Sequence, residues 1–237
     1  MRVLVTRPAG DAERTAAALE RAGHAATISP ALAIRFIESP VIGRADWRAI
    51  VVTSRHAAAA LARHDDAEIF KAKPLLAVGE ATETAARAAG FRTVRSAGGD
   101  VAALLAEIDG GDWPGPLLYA SGEAVAVDLV AALARRGISA ARAVVYAADT
   151  VPVLDPSARA ALEAGTLDGV VFFSPRTVSG FAGQLRQSGL DRAADGLTAW
   201  CLSKAIGDAA KSAGFTHIVI AEHKSEESLI AAIAAPQ

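Results

Sequence analysis

Short polar groups stand at the ends of the apolar runs in this sequence, and they are well suited to bind an anion. Six occur: Thr6-Arg7-Pro8, Thr53-Ser54-Arg55, Gly79-Glu80-Ala81-Thr82, Ser121-Gly122, Ser174-Pro175-Arg176 and Ser203-Lys204. In open α/β sheets, ligands bind beyond the carboxyl ends of strands, where helix N-termini present free N–H groups. The ligand-binding candidates are therefore Arg7, Thr53, Ser54, Arg55, Gly79, Thr82, Ser121, Gly122, Ser174, Arg176, Ser203 and Lys204.

The serines and threonines of this set have a second interpretation as ordinary helix N-caps. A cap hydroxyl bonds an unpaired amide at any helix start, so a single position is explained well by capping alone. Six positions, with four cations among them, favour anion binding for the set as a whole.

Metal and nucleotide chemistry lack their usual residues. The histidines are His24, His56, His64, His217 and His223, and they show neither paired helical spacing nor a cysteine partner. The sequence has no G-x-S-x-G, no G-x-x-x-x-G-K-[ST] and no G-x-G-x-x-G after a strand. We therefore expect no metal and no organic cofactor.

Composition limits the classes of partner. The 237 residues are 52% hydrophobic and 21% charged, with a net charge of −2 and no basic stripe, which disfavours nucleic acid. No apolar run approaches the roughly 18 residues of a membrane span, and none resembles a signal peptide. The single Cys201 excludes an intramolecular disulfide and fits a reducing compartment. These features predict a cytoplasmic protein.

Short apolar runs alternate with alanine-rich helical segments along the chain. Ten strand candidates result: Val3–Thr6, Ala25–Ser29, Ala49–Thr53, Leu75–Val78, Arg92–Arg95, Leu117–Ala120, Arg142–Tyr146, Gly169–Phe173, Thr198–Leu202 and His217–Ile220. Continuous Val/Ile/Leu runs flanked by helices are typical of parallel strands that are buried on both faces. The pattern predicts α/β layers.

The order of these elements repeats within the chain. The segments that start at residues 2, 50 and 76 match those that start at 116, 170 and 200, as in "IVVTSRHAAAAL" over "VVFFSPRTVSGF". Proline and polar clusters at Ala33–Pro40 and Ala147–Pro156 fall at equivalent places. If both are linkers, residues 1–35 plus 151–237 form one domain and residues 37–147 an inserted second. Each would be a flavodoxin-like parallel-sheet domain; the alternative is one ten-stranded domain.

The motifs in this order resemble the uroporphyrinogen-III synthase family over essentially the whole chain. The matching segments are Thr6-Arg7-Pro8, "VVTSRHAAAAL", "AVGEATETAARAAGF", "VVYAADT" and "VVFFSPRTVSGF". The chain departs from the family at Ser203-Lys204-Ala205-Ile206, where a second Gly-x-x-Thr is common, and after Gly122, where an arginine is common.

The resemblance implies a fold, a reaction and a catalytic candidate. The family has two α/β domains joined by a two-stranded linker, with the active cleft between them. It closes hydroxymethylbilane, a linear tetrapyrrole with eight carboxylates, to uroporphyrinogen III, inverting the last pyrrole and releasing water without a cofactor. Tyr146 corresponds to the tyrosine placed near the leaving hydroxyl. We expect a monomeric lyase of porphyrin and heme biosynthesis that contacts the preceding pathway enzyme only transiently.

Two other functions share parts of this pattern. Two similar lobes with two crossovers also describe a non-catalytic small-molecule binding module, but such proteins are usually secreted and carry a signal segment. A pair of signalling receivers would need a clustered acidic pocket and a lysine at set strand ends, where this chain has Thr, Ser and Gly.

Overall fold

The computed structural model describes residues 1–43, 46–111, 113 and 115–234. Within them lie the strands β1 (Arg2–Val5), β2 (Ala25–Ile28), β3 (Leu32–Phe36), β4 (Ala49–Val52), β5 (Leu75–Ala77), β6 (Val94–Ser96), β7 (Leu117–Gly122), β8 (Ala140–Thr150), β9 (Gly169–Phe172), β10 (Thr198–Cys201) and β11 (His217–Ile220). The helices are α1 (Ala9–Arg21), α2 (Arg55–Leu61), α3 (Ala67–Lys71), α4 (Glu80–Ala88), α5 (Val101–Gly110), α6 (Leu129–Ala134), α7 (Pro156–Glu163), α8 (Pro175–Gln187), α9 (Lys204–Ser212) and α10 (Glu226–Ala234). A 3₁₀ turn spans Asp191–Gly196.

Two sheets contain all of these strands. The first has the order β11-β10-β9-β1-β2 and the second the order β3-β8-β7-β4-β5-β6. All four pairings in the first sheet and the four from β8 to β6 in the second are parallel. The α/β class with parallel sheets is therefore confirmed.

The internal repeat is visible in the strand order. Under the repeat, β7, β8, β4, β5 and β6 correspond to β1, β2, β9, β10 and β11. The two sheets place these equivalent strands in the same sequence of neighbours. In the first sheet that sequence is the 2-1-3-4-5 order of doubly wound flavodoxin-like folds.

Each sheet is covered on both faces, as the continuous apolar runs predict. In β1, Leu4 packs into one core cluster while Val3 and Val5 pack into another, and all three are fully buried. In β4, Ile50 and Val52 likewise face one cluster and Ala49 and Val51 the other. Side chains alternate across a strand, so an apolar run without interruption supplies both layers.

One strand was missed, and two predicted strands have different bounds. The strand β3 was not predicted, because its sequence LAIRF alternates in burial between flanking prolines and is not a continuous apolar run. The strand β8 extends to Thr150, so Tyr146 lies inside it and does not end it. The predicted strand Arg92–Arg95 is β6, displaced to Val94–Ser96.

The chain forms two compact units. Unit 1 contains Met1–Ala33 and Asp149–Gln237, and unit 2 contains Ile34–Ala148. Both divisions fall inside strands, one in β3 and one in β8, and these two strands are hydrogen-bonded neighbours. The chain passes between the units through two paired strands, as the two-stranded linker predicts.

Candidate functional site

The carboxyl edge of the sheet in unit 2 holds Tyr146. Its ring lies against Gly122 at the end of β7: a Cβ built on Gly122 would fall 2.6 Å from Cζ, 2.8 Å from Cε2 and 2.9 Å from Oη of the tyrosine. His56, in the first turn of α2, contacts this group as well, with its ring centroid 5.6 Å from that of Tyr146. The tyrosine is half-buried, so its ring is held by protein while part of it reaches solvent.

Ser121 and Gly122 are held in place by Arg142. The arginine Nε donates to Ser121 Oγ at 2.8 Å, and Nη2 donates to the carbonyl oxygens of Gly122 at 2.7 Å and Glu123 at 2.6 Å. The Ser121 hydroxyl, buried, donates in turn to the Gly122 carbonyl at 3.1 Å. Both positions therefore shape the strand end within unit 2.

Thr53 and Ser54 follow β4 at the same edge. Thr53 Oγ1 lies 3.2 Å from the hydroxyl of Tyr119, the buried second tyrosine, on the neighbouring strand β7. Ser54 caps α2, because its Oγ accepts from the His56 amide at 3.2 Å. Arg55 is the first residue of that helix. The capping interpretation is confirmed at Ser54.

Gly79 and Thr82 stand at the start of α4, after β5. Gly79 occupies the N-cap position in extended backbone and offers no side-chain cap, so the first amides of the helix are not bonded by its side chain. Thr82 is the third residue of the helix and is buried.

In unit 1 the second residue after β1, Arg7, belongs to a partly buried polar cluster. Its Nη1 donates to Thr15 Oγ1 at 3.0 Å and to Glu226 Oε1 at 3.2 Å, and its Nη2 lies 3.4 Å from Asp11 Oδ2. The guanidinium carbon lies 4.0 Å from the ring centre of Phe173. Burial lowers the pKa of Arg7, while Asp11 and Glu226 raise it. The guanidinium remains charged at neutral pH.

Ser174 and Arg176 lie at the start of α8, after β9. Ser174 Oγ accepts from the Thr177 amide at 3.2 Å and lies 2.6 Å from the Thr177 hydroxyl. Pro175 fills the first helical position, where a missing N–H costs nothing. Arg176 is exposed at the second position. Ser174 is thus a cap as well as a ligand candidate.

Ser203 and Lys204 begin α9, after β10. Ser203 is the N-cap residue, yet its hydroxyl makes no cap bond. Lys204 Nζ pairs with Asp208 at 2.9 Å, and both side chains are well exposed. A pair this exposed contributes little to stability, so the lysine can exchange its partner easily.

The structure groups the predicted residues by unit. Unit 2 places Thr53, Ser54, Arg55, Gly79, Thr82, Ser121, Gly122 and Tyr146 at or near the carboxyl edge of its parallel strands, and unit 1 does the same for Arg7, Ser174, Arg176, Ser203 and Lys204. Arg142 was missed, because an arginine inside an alternating strand reads as an outward-facing residue. His56 was not among the predicted site residues, and the structure places its ring against that of Tyr146.

Across the described ranges, no three His, Cys, Asp or Glu side chains lie together in a way that could hold a metal ion. Cys201 is buried in the core of unit 1, and burial raises the pKa of its thiol to about 12. None of the helices in the described part of the chain is both long and apolar enough to cross a membrane.

Two doubly wound α/β sheets, related by an internal repeat and joined through two paired strands, define the architectural class of this protein. A model of the family described as uroporphyrinogen-III synthase HemD matches residues 13–231, so the chain belongs to that family. Membership implies the cyclisation of hydroxymethylbilane, a lyase reaction of heme biosynthesis, and does not favour the non-catalytic binding module.

Solved structures share the fold. Uroporphyrinogen-III synthetase from Helicobacter pylori 26695 is 17% identical with a TM-score of 0.60, over 98% of this chain and 97% of that one. A mutant uroporphyrinogen III synthase from the extremely thermophilic bacterium Thermus thermophilus is 18% identical with a TM-score of 0.54, over the same shares. No curated protein matches the chain in sequence.

Proposed function

We propose that this chain closes hydroxymethylbilane to uroporphyrinogen III without a cofactor and that Tyr146 is its catalytic residue. The observation that carries the assignment of the residue is its setting: a half-buried tyrosine at the carboxyl edge of a parallel sheet, with its phenol end resting on a glycine. The internal repeat aligns Tyr146 with Leu32, so the repeated sequence pattern does not itself require a tyrosine here.

The first chemical step is loss of the hydroxymethyl hydroxyl. Hydroxide is a poor leaving group, so the oxygen needs a proton or a strong hydrogen bond as the C–O bond breaks. A tyrosine hydroxyl is ordinarily protonated at neutral pH and can supply it. The adjacent pyrrole nitrogen pushes its electron pair towards the carbon, so the hydroxyl departs as water and no protein nucleophile is required.

The second task is geometric. The substituted α-carbon of the last pyrrole attacks the resulting cation and forms one new C–C bond. The bond that joined this carbon to the methylene of the third pyrrole then breaks, which leaves a second methylene cation, and the unsubstituted α-carbon of the inverted ring attacks that cation. The proton lost from this α-carbon, as the last pyrrole regains its aromaticity, reprotonates the phenolate of Tyr146. Because the free bilane closes unaided to the non-inverted isomer, the protein must hold the chain folded so that the substituted carbon is the one within reach.

The eight carboxylates of the substrate provide the means of holding it. We assign their binding to Arg7, Thr53, Ser54, Arg55, Gly79, Thr82, Ser121, Gly122, Ser174, Arg176, Ser203 and Lys204 and to the helix N-termini on which several of them lie. Amide and hydroxyl dipoles with a few cations can bind a polyanion without a basic net charge. The Ser203 hydroxyl, which makes no cap bond, and the well-exposed Lys204 support this assignment most directly.

Three further features belong to the same proposal. The chain acts as a monomer in the cytoplasm, and it meets the preceding pathway enzyme only transiently. Domains comprising residues 1–35 plus 151–237 and residues 37–147 each supply part of the substrate contacts. Sedimentation of the purified protein across a range of concentrations measures its oligomeric state. A mass that rises with concentration would contradict the monomer.

The direct test of the reaction is product analysis. Purified chain is supplied with hydroxymethylbilane, and the uroporphyrinogen isomers are oxidised and separated. We expect isomer III to dominate, before and after exhaustive chelation and gel filtration. Isomer I alone, at the rate of the spontaneous closure, would refute the assignment, and activity that returns only on addition of a metal would refute cofactor independence.

A further inference from the structure

We infer that Arg142 is a positioning residue for the Tyr146 ring and that it acts through Gly122. The inference rests on the proposed role of Tyr146 and adds the part of the chain that holds its hydroxyl in place. Arg142 lies within β8 and is not one of the strand-end residues predicted to bind the substrate.

The pairing of β7 with β8 is irregular at this point. Ser121 pairs with Val144, but the next residue, Gly122, pairs with Tyr146, so β8 carries one extra residue there. A bulge of this kind bends a strand and redirects the side chain beside it. The irregularity therefore helps to set where the tyrosine points, and whatever fixes the end of β7 also constrains the ring that rests on it.

Gly122 provides the surface on which the ring rests. The three atoms nearest to a Cβ built there all belong to Tyr146, and they include the hydroxyl oxygen at 2.9 Å. Every other residue type would place a carbon where the phenol end of the ring now lies. Gly122 is needed for its missing side chain as well as for any amide it offers a ligand.

Arg142 holds that surface from the neighbouring strand. Its guanidinium donates to a hydroxyl and two successive carbonyl oxygens, at Ser121, Gly122 and Glu123, at 2.6 to 2.8 Å. The Glu123 amide meanwhile donates to the Tyr146 carbonyl at 2.9 Å. The end of β7 is thus bonded to β8 at two points, one on each side of the extra residue. Charge-assisted bonds in a fixed fork geometry give Arg142 a directional hold that a lysine point charge lacks.

A spectroscopic experiment reads the position of the ring without relying on activity. The chain has two tyrosines, so protein labelled with ¹³C-tyrosine gives two sets of ring signals, and Tyr146→Phe assigns them. Arg142→Gln should shift or broaden the Tyr146 signal and leave that of buried Tyr119 in place. The matched control is Arg136→Gln, which removes bonds to Asp109 and to the Ala132 carbonyl in the same unit. An unmoved Tyr146 signal in Arg142→Gln overturns the inference.

Kinetics then test whether position matters to the reaction. We expect Arg142→Gln to lower kcat by about tenfold, the effect of about one charge-assisted hydrogen bond. KM should rise less than kcat falls, because Ser121 and Gly122 are only two of the donors assigned to the carboxylates. Arg142→Lys should recover part of the loss. In a Tyr146→Phe background the same change should have no further effect, because the arginine acts through the hydroxyl. Equal losses in both backgrounds overturn the inference.

The outcomes separate this inference from the proposed function. Full kcat in Tyr146→Phe refutes the catalytic role of the tyrosine, while the ring signal still reports whether Arg142 positions it. Absence of isomer III from every variant and from the wild type refutes the reaction itself.

Discussion

Each unit of this protein contains an aromatic ring packed on a glycine, and the two rings differ in how deeply they are buried. In unit 1, Trp200 lies over Gly169, the first residue of the central strand β9, and is fully buried. Its indole N–H finds no hydrogen-bond partner among the described residues, so the side chain acts as apolar filling. In unit 2, Tyr146 lies over Gly122 at the sheet edge and is half-buried. The same kind of packing is fully buried in one unit and half-buried in the other.

The internal repeat shows which residues of the other unit correspond to these two glycines and two aromatic residues. The counterparts of Gly169 and Trp200 are Ala49 and Leu76, and the counterparts of Gly122 and Tyr146 are Pro8 and Leu32. Each aromatic ring thus has an aliphatic counterpart, and each glycine a counterpart with a side chain. The backbone topology tolerates both solutions, so the strand order alone does not tell which edge carries chemistry.

The largest effect that separates the two contacts is expected at Gly169. A Cβ there would lie 2.1 Å from the Thr198 carbonyl oxygen and 2.4 Å from a ring carbon of Trp200. Because one obstacle is backbone, we expect Gly169→Ala to cost about 3 kcal/mol or more of unfolding free energy in denaturant titration. Adding Trp200→Leu should not relieve that cost, and full relief would contradict the account.

A second difference between the units lies in α8, where Gln184 is fully buried. Its Nε2 donates to the carbonyl oxygens of Pro30 and Val151 at 3.0 Å and of Val153 at 3.2 Å. These bonds join the segment just before β3 to the segment just after β8. The repeat counterpart is His64, which lies nearer the surface. Gln184→Leu should cost about 2 to 3 kcal/mol, because it leaves buried carbonyls unpaired.

His64→Leu is the matched control for that change. His64 Nδ1 accepts from the Asp66 amide, at 3.0 Å, in a turn. We expect its loss to change the unfolding free energy by about 0.5 kcal/mol or less. Similar losses of unfolding free energy for the two substitutions would show that the hydrogen bonds from Gln184 to the segments next to β3 and β8 add no stability.

Gly122→Ala should cost less stability than Gly169→Ala, since all three nearest atoms belong to the Tyr146 side chain, which can swing away. We expect a loss of about 1 kcal/mol. In a Tyr146→Leu background, which introduces the residue found at the repeat counterpart Leu32, the added methyl should not measurably lower the unfolding free energy. A persistent cost there would mean that backbone and not the ring fills the space.

The smallest effect is expected at Cys201, whose counterpart in unit 2 is Ala77. With its pKa raised to about 12 by burial, the thiol stays protonated when an ordinary cysteine begins to ionise. Alkylation by iodoacetamide should therefore be negligible in the native protein and should not rise between about pH 7 and 9, whereas the unfolded chain reacts. Rapid native labelling would place Cys201 outside the core.

Much of this architecture could be predicted from the order of apolar runs. Strands such as β4 and β9 are buried on both faces, and a continuous run with helical flanks has few other folded solutions. The repeat also predicts correctly that the two sheets have equivalent neighbours. The strand β3 was missed because half-buried strands depend on their partner, here β8, and not on a local apolar run.

The strand ends that carry the candidate residues could be located from the sequence, but the contacts made there could not. Strand ends could be found from the sequence, and capping was anticipated at Ser54 and Ser174. Nothing local in the sequence shows that Arg142 bonds the end of β7 or that the ring of Tyr146 needs a glycine. Those contacts join residues about twenty positions apart through strand register, and a single irregularity in that register changes them.

The most direct test of the central claim is the kcat of Tyr146→Phe, measured as formation of isomer III from hydroxymethylbilane. General-acid assistance is typically worth about 10²- to 10⁴-fold, and assistance by the pyrroles places the expected loss towards the lower end. KM and the melting temperature should change little, because the ring and its contact with Gly122 remain. Tyr119→Phe, which removes the hydroxyl that lies 3.2 Å from Thr53 inside the sheet, is the control and should nearly retain kcat. A Tyr146→Phe variant with wild-type kcat would show that the residue is packing only and would contradict the account.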